Sequence, residues 1–182
     1  MKKMIIISSP SGGGKNTLIN ALIKQNKNVE HSISTTTRPP RVVERADDPY
    51  YFVSREEFEK MISNGMFLEW AKVLDHYYGT TLSEVERIFS HGHIAILDID
   101  IQGAMQLKEK YPEVCTVFIE PPSLEILAER LSNRGTETKE QIKGRLELAK
   151  VELEHKDQYD HVIINDKLDD ALLQLKNIVN RL

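Results

Sequence analysis

A glycine-rich stretch near the amino terminus carries the clearest chemistry in the sequence. Consecutive glycines let the backbone curl so that several N–H groups point inward at one anion, and a helix that follows them adds the positive end of its dipole. A lysine directly after the glycines can follow the β- and γ-phosphates of a nucleotide as charge moves during phosphoryl transfer. We therefore expect a catalytic Lys15 within a nucleotide-binding loop made of Ser9, Pro10, Ser11, Gly12, Gly13, Gly14, Lys15, Asn16 and Thr17.

This loop departs from the usual P-loop pattern at two positions. Ser9 stands where the first glycine belongs, and Asn16 replaces the serine or threonine that commonly ligates magnesium, with Thr17 one place later. The alternative is a turn that only links a strand to a helix, but the apolar run before the loop and the helical spacing after it favour nucleotide binding. Asn16 weighs against direct coordination of Mg²⁺ by the protein, an ion that commonly keeps water and phosphate oxygens as ligands.

Two arginines three residues apart, Arg38 and Arg41, lie in a loop stiffened by Pro39 and Pro40. Such a pair can grip a phosphate group through several charge-assisted hydrogen bonds. The alternative is a solvated surface loop with two ordinary arginines. The pair indicates a second anion site, which would hold the group that receives the phosphate.

Two carboxylates, Asp98 and Asp100, stand two residues apart at the end of an apolar run. Residues at this spacing in a strand point to the same face, so both would lie at the carboxyl edge of a sheet, where α/β proteins bind ligands. A helix cap or a turn is the alternative role for Asp98.

Two histidines, His91 and His93, flank Gly92 just before an apolar run. The neighbouring sequence offers them no acidic or thiol partner, so we interpret the three residues as a surface turn and not as a metal site.

The order of apolar runs predicts the elements that would position these side chains. Strands are expected at 4–8, 94–99, 115–119 and 161–164, and helices at about 17–24, 102–111, 123–132, 139–155 and 168–181. This alternation predicts an α/β fold in which helices flank a parallel sheet on both faces.

Residues at about 35–90 break the alternation and predict an inserted segment of mixed α and β structure. Strands are expected at 50–53, 67–73 and 77–81, and a helix at 55–64. Ser54 with Glu57, and Thr81 with Glu84, are predicted to form capping boxes at two helix starts. The chain would be a single domain, with a core at about 1–34 and 91–182.

The composition is that of one globular domain. The chain has 182 residues, of which 40% are hydrophobic and 29% charged, and this excludes a disordered protein. A net charge of −4 weighs against a protein that coats nucleic acid. The single cysteine, Cys115, excludes a disulfide framework, and the apolar start at 4–7 is too short for a membrane span, so we expect a cytoplasmic protein.

Short motifs along nearly the whole chain resemble the guanylate kinase family. Each motif alone is weak, but their joint order and spacing are specific. They are Ser11-Gly12 through Lys15, Thr36-Thr37-Arg38 with Pro40-Arg41, Phe52-Val53-Ser54, Phe67-Leu68-Glu69-Trp70, Tyr77-Tyr78-Gly79-Thr80, Leu97-Asp98-Ile99-Asp100 with Gln102-Gly103, Pro121-Pro122-Ser123, Arg134-Gly135-Thr136 and Asn165-Asp166.

The resemblance implies a P-loop enzyme of purine nucleotide metabolism that transfers the γ-phosphoryl group of ATP, bound with Mg²⁺, to GMP. It also implies a GMP-binding insertion and a helical lid at about 126–150. Because phosphoryl transfer needs little covalent help from the protein, we expect no general base, and the catalytic residues would be Lys15, Arg38, Arg130, Arg134 and Arg145. By similarity, the GMP phosphate would be held by Arg38, Arg41, Tyr50 and Tyr78, and the guanosine by Ser34, Glu69, Gly79, Thr80 and Asp100. By similarity too, the lid would carry Arg130, Arg134 and Arg145, while Asn165 would lie near adenine and Asp98 near magnesium and its waters.

Guanine selection agrees with hydrogen-bond chemistry. The base presents adjacent N1–H and N2–H donors, which the carboxylate of Glu69 can accept together, whereas adenine has an acceptor at N1. The hydroxyls of Ser34 and Thr80 can donate toward O6. A site built around such partners rejects a ligand that lacks them by about 10⁴–10⁵ in favourable cases. A solvated strand carboxylate is the alternative interpretation of Glu69.

Two other functions stay open at this point. Guanylate-kinase-like modules of some scaffolding proteins bind peptides and transfer no phosphate, and a related kinase could use another nucleoside monophosphate or a sugar phosphate. Retention of Lys15, the glycines and the arginines favours the enzyme. The stretch 42–49, with Pro49 before Tyr50, and His76 depart from the usual family pattern. We expect no nucleic-acid or membrane partner, and a monomer or a small homo-oligomer.

Overall fold

The computed structural model describes residues 3–40, 50–73, 75–133 and 138–182. Arg41 and Arg134, both predicted site residues, and the stretch 42–49 lie outside these described residues. The elements follow in chain order: β1 Met4–Ser8, α1 Lys15–Gln25, β2 Val29–His31, β3 Ser34–Thr36, β4 Tyr50–Phe52, α2 Arg55–Ser63, β5 Phe67–Val73, β6 His76–Thr81, α3 Leu82–Ser90, β7 Ile94–Asp98, α4 Ile101–Lys110, β8 Cys115–Glu120, α5 Leu124–Asn133, α6 Lys139–Glu154, a 3-10 turn Lys156–Gln158, β9 His161–Ile164 and α7 Leu168–Val179.

The chain divides into two compact units. The first consists of Met1–Ile6 and Asn26–Val114, and the second of Ile7–Gln25 and Cys115–Leu182. In the first unit, β2 and β7 pair in parallel and β7 neighbours β1. In the second, β1 neighbours β8, which pairs in parallel with β9. Parallel strands with helices between them confirm the predicted α/β fold.

The parallel strands are buried because their apolar runs are continuous. Ile5 of β1, Ile96 of β7 and Phe118 of β8 have no exposed surface. Such runs are typical of strands covered on both faces. The helices show the complementary pattern, since α7 buries only one side, through Ala171, Leu172, Leu175 and Val179, at helical spacing.

A four-stranded sheet in the first unit forms most of the predicted insertion. Its strand order is β4-β3-β6-β5, with β3 parallel to β4 and antiparallel to β6, and β5 antiparallel to β6. The three strands and the helix predicted here are confirmed, with ends that move by at most one residue. Short β2 and β3 were missed because three-residue strands with polar side chains carry little periodic signal.

The two predicted capping boxes are half correct. The hydroxyl of Ser54 accepts from the Glu57 N–H at 3.1 Å, and that of Thr81 accepts from the Glu84 N–H at 3.2 Å, so both caps are confirmed. The second bond of the capping box at α3, from the Thr81 N–H to the Glu84 carboxylate, was a wrong prediction, because this carboxylate accepts from the Ile33 N–H instead.

Among the described helices, none has the length and apolarity that a membrane crossing needs.

The packing of α2 makes a prediction about stability. The buried ring of Phe58 stacks on Phe67 at 4.4 Å and on Tyr77 at 5.3 Å between centroids. We expect Phe58→Ala to lower the free energy of unfolding by about 3–5 kcal/mol in urea titrations, because it leaves a cavity between these rings. The control Leu82→Ala removes a side chain that is 40% exposed, and it should stay within about 0.5 kcal/mol of wild type. Equal losses in the two variants would contradict this account.

Candidate active site

The glycine-rich loop at 9–14 joins β1 to α1 within the second unit. The backbone conformation at two of its positions requires glycine. Gly12 and Gly14 have φ angles of +95° and +92°, in the left-handed region that other residues rarely adopt. The N–H of Gly13 donates to the carbonyl of Pro10 at 2.8 Å and closes a tight turn. α1 then begins at Lys15 with no acidic residue in its first turn, so its positive end is not neutralised there.

Side chains packed against the loop leave no room for a Cβ at Gly12 or Gly14. A Cβ on Gly12 would lie 2.9 Å from Leu127 and 3.0 Å from Leu131, both on α5. These two leucines form a buried cluster with Ala149 of α6. A Cβ on Gly14 would collide with the amide nitrogen of Asn165. The shape of the loop therefore depends on helices far away in the sequence.

Three predicted site residues form hydrogen bonds to this loop. Asn165 is buried and donates from Nδ2 to the Gly13 carbonyl at 2.9 Å. Arg130 donates to the same carbonyl at 3.4 Å and to the carbonyl of Asn165 at 2.9 Å. Arg145 donates from Nη1 to the hydroxyl of Ser11 at 2.6 Å. The structure thus brings Asn165, Arg130 and Arg145 together with the loop.

The charges at this loop suit a polyphosphate. Arg130 and Arg145 bring two guanidinium groups to the loop, and Lys15 stands at the first position of α1. Backbone N–H groups, a helix start and such cations form an arrangement that binds phosphates. Asn165 was expected beside a base, and the contact it makes here holds the loop backbone, which the sequence did not indicate.

A second group of predicted residues meets on the four-stranded sheet of the first unit. Ser34 lies opposite Tyr50 in the pairing of β3 with β4. The ring of Tyr50 meets that of Tyr78 edge to face at 6.2 Å, and the guanidinium carbon of Arg38 lies 5.3 Å from the Tyr50 ring centroid. Arg38 and the two tyrosines can therefore present one guanidinium and two hydroxyls to an anion.

The carboxylate of Glu69 is the most unusual group on this sheet. Glu69 is only 5% exposed, and Oε1 accepts from the Thr80 N–H at 2.8 Å. The buried hydroxyl of Thr80 has no hydrogen-bond partner among the described residues. The residue before Thr80 in β6, Gly79, has no room for a side chain, since a Cβ there would lie 2.8 Å from the Glu69 carbonyl oxygen.

Asp100 stands next to Glu69 because of a glycine on α4. A Cβ on Gly103 would lie 2.6 Å from Glu69 Oε2 and 3.3 Å from Asp100 Oδ1. Asp100 also caps α4, since its Oδ1 accepts from the Gly103 N–H at 2.9 Å. The bare backbone of Gly103 thus lets two carboxylates share a small space.

This environment shifts the ionisation of Glu69. Burial raises its pKa to about 7, the hydrogen bond from the Thr80 N–H opposes the rise, and the charge of Asp100 adds to it. A buried carboxylate with a raised pKa gains more from a ligand that donates hydrogen bonds than a solvated one does. The pair of oxygens is therefore suited to a ligand with adjacent N–H groups.

Asp98 occupies the end of β7, as predicted from its position after an apolar run. Its Oδ2 lies 3.9 Å from Nε2 of His31, and both side chains are largely buried. Carboxylate oxygen is the ligand type that Mg²⁺ prefers, and this ion keeps much of its water. Asp98 therefore fits an outer ligand of a hydrated magnesium ion.

Glu84 was missed as a site residue because its sequence pattern was interpreted only as a cap. Its Oε1 accepts from the N–H of Ile33, the neighbour of Ser34, at 2.9 Å. Its Oε2 accepts from the hydroxyl of Tyr51, the neighbour of Tyr50, at 3.4 Å. One buried carboxylate thus ties together the two strands that carry Ser34 and Tyr50.

The first unit also has a cavity of about 640 Å³. It lies against the face of the four-stranded sheet that is opposite to Ser34, Tyr50 and Thr80. Its lining includes Thr35, Tyr51 and Thr81. Successive strand residues point to opposite faces, so these residues point away from the side that carries Ser34, Tyr50 and Thr80. The cavity is therefore separate from the predicted acceptor residues.

The glycine loop makes a prediction that separates backbone strain from crowding. We expect Gly12→Ala to lower the free energy of unfolding by about 2–5 kcal/mol, because a left-handed alanine is strained and its Cβ strikes two leucines. Gly65→Ala is the matched control, since Gly65 has φ +64° and open space around it. In that variant the free energy of unfolding should fall by only about 1–2 kcal/mol, which is the cost of the left-handed backbone. Equal losses in urea titrations would show that crowding at Gly12 is unimportant.

Comparisons with known proteins agree with this arrangement. The chain matches the guanylate kinase family model over residues 1–182. It is 47% identical to a guanylate kinase of Caldanaerobacter subterraneus subsp. tengcongensis, over 97% of this chain and 85% of that protein. It is 49% identical to a guanylate kinase of Haemophilus ducreyi, over 97% and 86% of the two chains. The crystal structure of guanylate kinase from Anaplasma phagocytophilum superimposes with a TM-score of 0.78 at 34% identity, covering 98% of this chain and 85% of that one. The chain therefore belongs to the guanylate kinase family.

Proposed function

We propose that this protein transfers the γ-phosphoryl group of ATP to GMP and releases ADP and GDP. The observation that carries the proposal is the buried carboxylate of Glu69, which lies beside Asp100 and opposite Thr80, whose hydroxyl has no partner among the described residues. Guanine offers two adjacent donors and one acceptor, which these groups complement. Relatives at 47% and 49% identity carry the name guanylate kinase, in agreement with this chemistry.

The acceptor nucleotide would bind along the four-stranded sheet. Arg38, Arg41, Tyr50 and Tyr78 would hold its phosphate, supported by the contacts that gather Arg38 and the two tyrosines. Glu69 would accept from N1–H and N2–H, and Thr80 and Ser34 would donate to O6. Asp100 and Gly79 would complete the guanosine site. Glu84 would keep the strands that carry Ser34 and Tyr50 in register with it.

The donor nucleotide would bind at the glycine-rich loop. Loop N–H groups and the start of α1 would surround its phosphates, and Lys15, Arg130 and Arg145 would neutralise their charge, with Arg134 in the same lid. Asn165 would serve this site by holding Gly13 in place. Asp98 would hold a hydrated Mg²⁺ ion through its water ligands, and this ion would supply further neutralisation of phosphate charge.

Phosphoryl transfer asks the protein for positioning and electrostatic stabilisation, with little covalent chemistry. Lysine and arginine groups fixed before the reaction can stabilise charge that spreads over the equatorial oxygens. Arg130 and Arg145 stand on α5 and α6, the helices of the proposed lid at about 126–150. Closure of this lid over bound ATP would exclude water, which would otherwise hydrolyse the nucleotide.

The identity of the acceptor can be tested by removing Glu69. We expect Glu69→Ala to lower kcat/KM for GMP by on the order of 10² or more, because two hydrogen bonds to the base are lost. A coupled assay of GMP-dependent ADP formation measures this, with AMP as the control acceptor. An unchanged ratio of GMP to AMP turnover in the variant would reject the role of Glu69. Turnover of GMP by the wild-type protein no faster than background would reject the proposed kinase activity.

The raised pKa of Glu69 predicts how GMP affinity depends on pH. Only the carboxylate accepts both donors, so affinity should fall by about tenfold per unit as pH drops below about 7. Above that value the carboxylate is already formed, and affinity should be flat. Calorimetric titration of GMP from pH 5.5 to 8.5 measures the effect.

Glu69→Gln is the matched control for this pH dependence, because it keeps the shape of the side chain and removes its titration. The phosphate of GMP has its own pKa near about 6 in both proteins. Comparison of the two profiles therefore isolates Glu69. Identical profiles for wild type and Glu69→Gln would contradict the assignment.

A further inference from the structure

Three side chains with metal-binding atoms meet on β2 and the turn before β7, and none of them is a residue proposed for GMP. Nδ1 of His91 lies 3.2 Å from Oε2 of Glu30, and Nδ1 of His93 lies 3.0 Å from the same oxygen. The sequence predicted only a surface turn here. The turn is confirmed, with Gly92 at φ +76°, but the acidic partner comes from β2, 61 and 63 residues away in the chain.

The spacing of the three atoms fits one small divalent ion. The two nitrogens and the oxygen all lie within 4.8 Å of one another. Ligands at about 2.0–2.1 Å from a tetrahedral zinc ion are about 3.3 Å apart. The two nitrogen–oxygen distances are already close to that value. Small rotations of two partly exposed imidazole rings can therefore bring all three atoms into coordination.

The backbone under these side chains is already ordered. Glu30 of β2 stands opposite Ala95 of β7, and the N–H of Ile94 donates to the Asn28 carbonyl at 2.8 Å. On the other side, the N–H of His91 donates to the Ile88 carbonyl at 3.1 Å at the end of α3. Strand pairing and helix termination thus hold the two segments side by side, which lowers the cost of ordering ligands.

The neighbouring charges orient the carboxylate and leave it available. Arg87 donates to Oε1 of Glu30 at 2.5 Å, while its other nitrogens donate to the buried carboxylate of Glu84. Oε2 of Glu30 is left facing the imidazoles. Two carboxylates share the single charge of Arg87, so the group keeps one net negative charge for a cation. Hydrogen bonds to a ligating carboxylate are a common feature of metal sites.

We propose that Glu30, His91 and His93 form a binding site for a divalent transition-metal ion of the zinc type. Imidazole nitrogen suits zinc, nickel and copper, whereas magnesium and calcium prefer oxygen ligands. The two Nδ1 atoms coordinate as neutral imidazoles and release to solvent any protons they carry. The bound ion cross-links β2 to the turn between α3 and β7.

Zinc titration of the full-length protein tests this site. We expect calorimetry of metal-stripped protein without nucleotide to show one zinc per chain, and zinc to raise Tm. His91→Ala with His93→Ala should abolish that binding, and Glu30→Gln should weaken it by about tenfold or more. Excess Mg²⁺ should not compete. Absence of zinc binding in wild type, or equal binding in the double variant, would overturn the proposal.

Matched variants locate the ion. His161→Ala removes an exposed histidine of the second unit, and Cys115→Ser removes the only thiol of the sequence. Asp98→Asn removes the carboxylate near His31. All three should bind zinc as wild type does, and anomalous scattering from a zinc-soaked crystal should place the ion between Glu30, His91 and His93. Loss of binding in any of these three variants, or an anomalous peak elsewhere, would assign the zinc to another site.

Discussion

The carbonyl oxygen of Gly13 is the acceptor on which the glycine-rich loop depends. It receives hydrogen bonds from Asn165 and Arg130, which come from two separate segments of the second unit. A loop of consecutive glycines has the largest conformational freedom to lose on ordering. The two bonds, with the leucines packed against Gly12, offset that loss. The same contact that orders the loop also brings the charge of Arg130 to it.

The proposed acceptor site depends on a different constraint, which is the burial of charge. Taking the carboxylate of Glu69 out of water beside Asp100 raises its pKa to about 7. The folded protein keeps this unfavourable arrangement through the pairing of β5 with β6 and the bare backbone of Gly103. A ligand that donates two hydrogen bonds relieves the cost, and a ligand with an acceptor at that place does not. Under the proposed function, selectivity for guanine would follow from an environment that is unfavourable for the carboxylate without a ligand.

Polar side chains of the first unit also hold its strands together. Glu84 bonds to the segments next to Ser34 and Tyr50, and Arg87 connects it to Glu30 on β2. Glu30 in turn contacts His91 and His93. A chain of hydrogen bonds therefore runs from the predicted guanine-binding strand to the edge of the unit where we place a metal ion.

Local sequence determined much of this protein. The apolar runs predicted the parallel strands, and helical spacing and caps predicted most helices within a few residues, because these signals act over short stretches of chain. Motif order also identified the family. The sequence did not show the short strands β2 and β3, the turn of Glu84 toward Ile33, the hold of Asn165 on Gly13, or the meeting of Glu30 with two histidines. Each of these depends on contacts between residues far apart in the chain, and only the packing of the folded units decides which distant groups meet and how deeply they are buried.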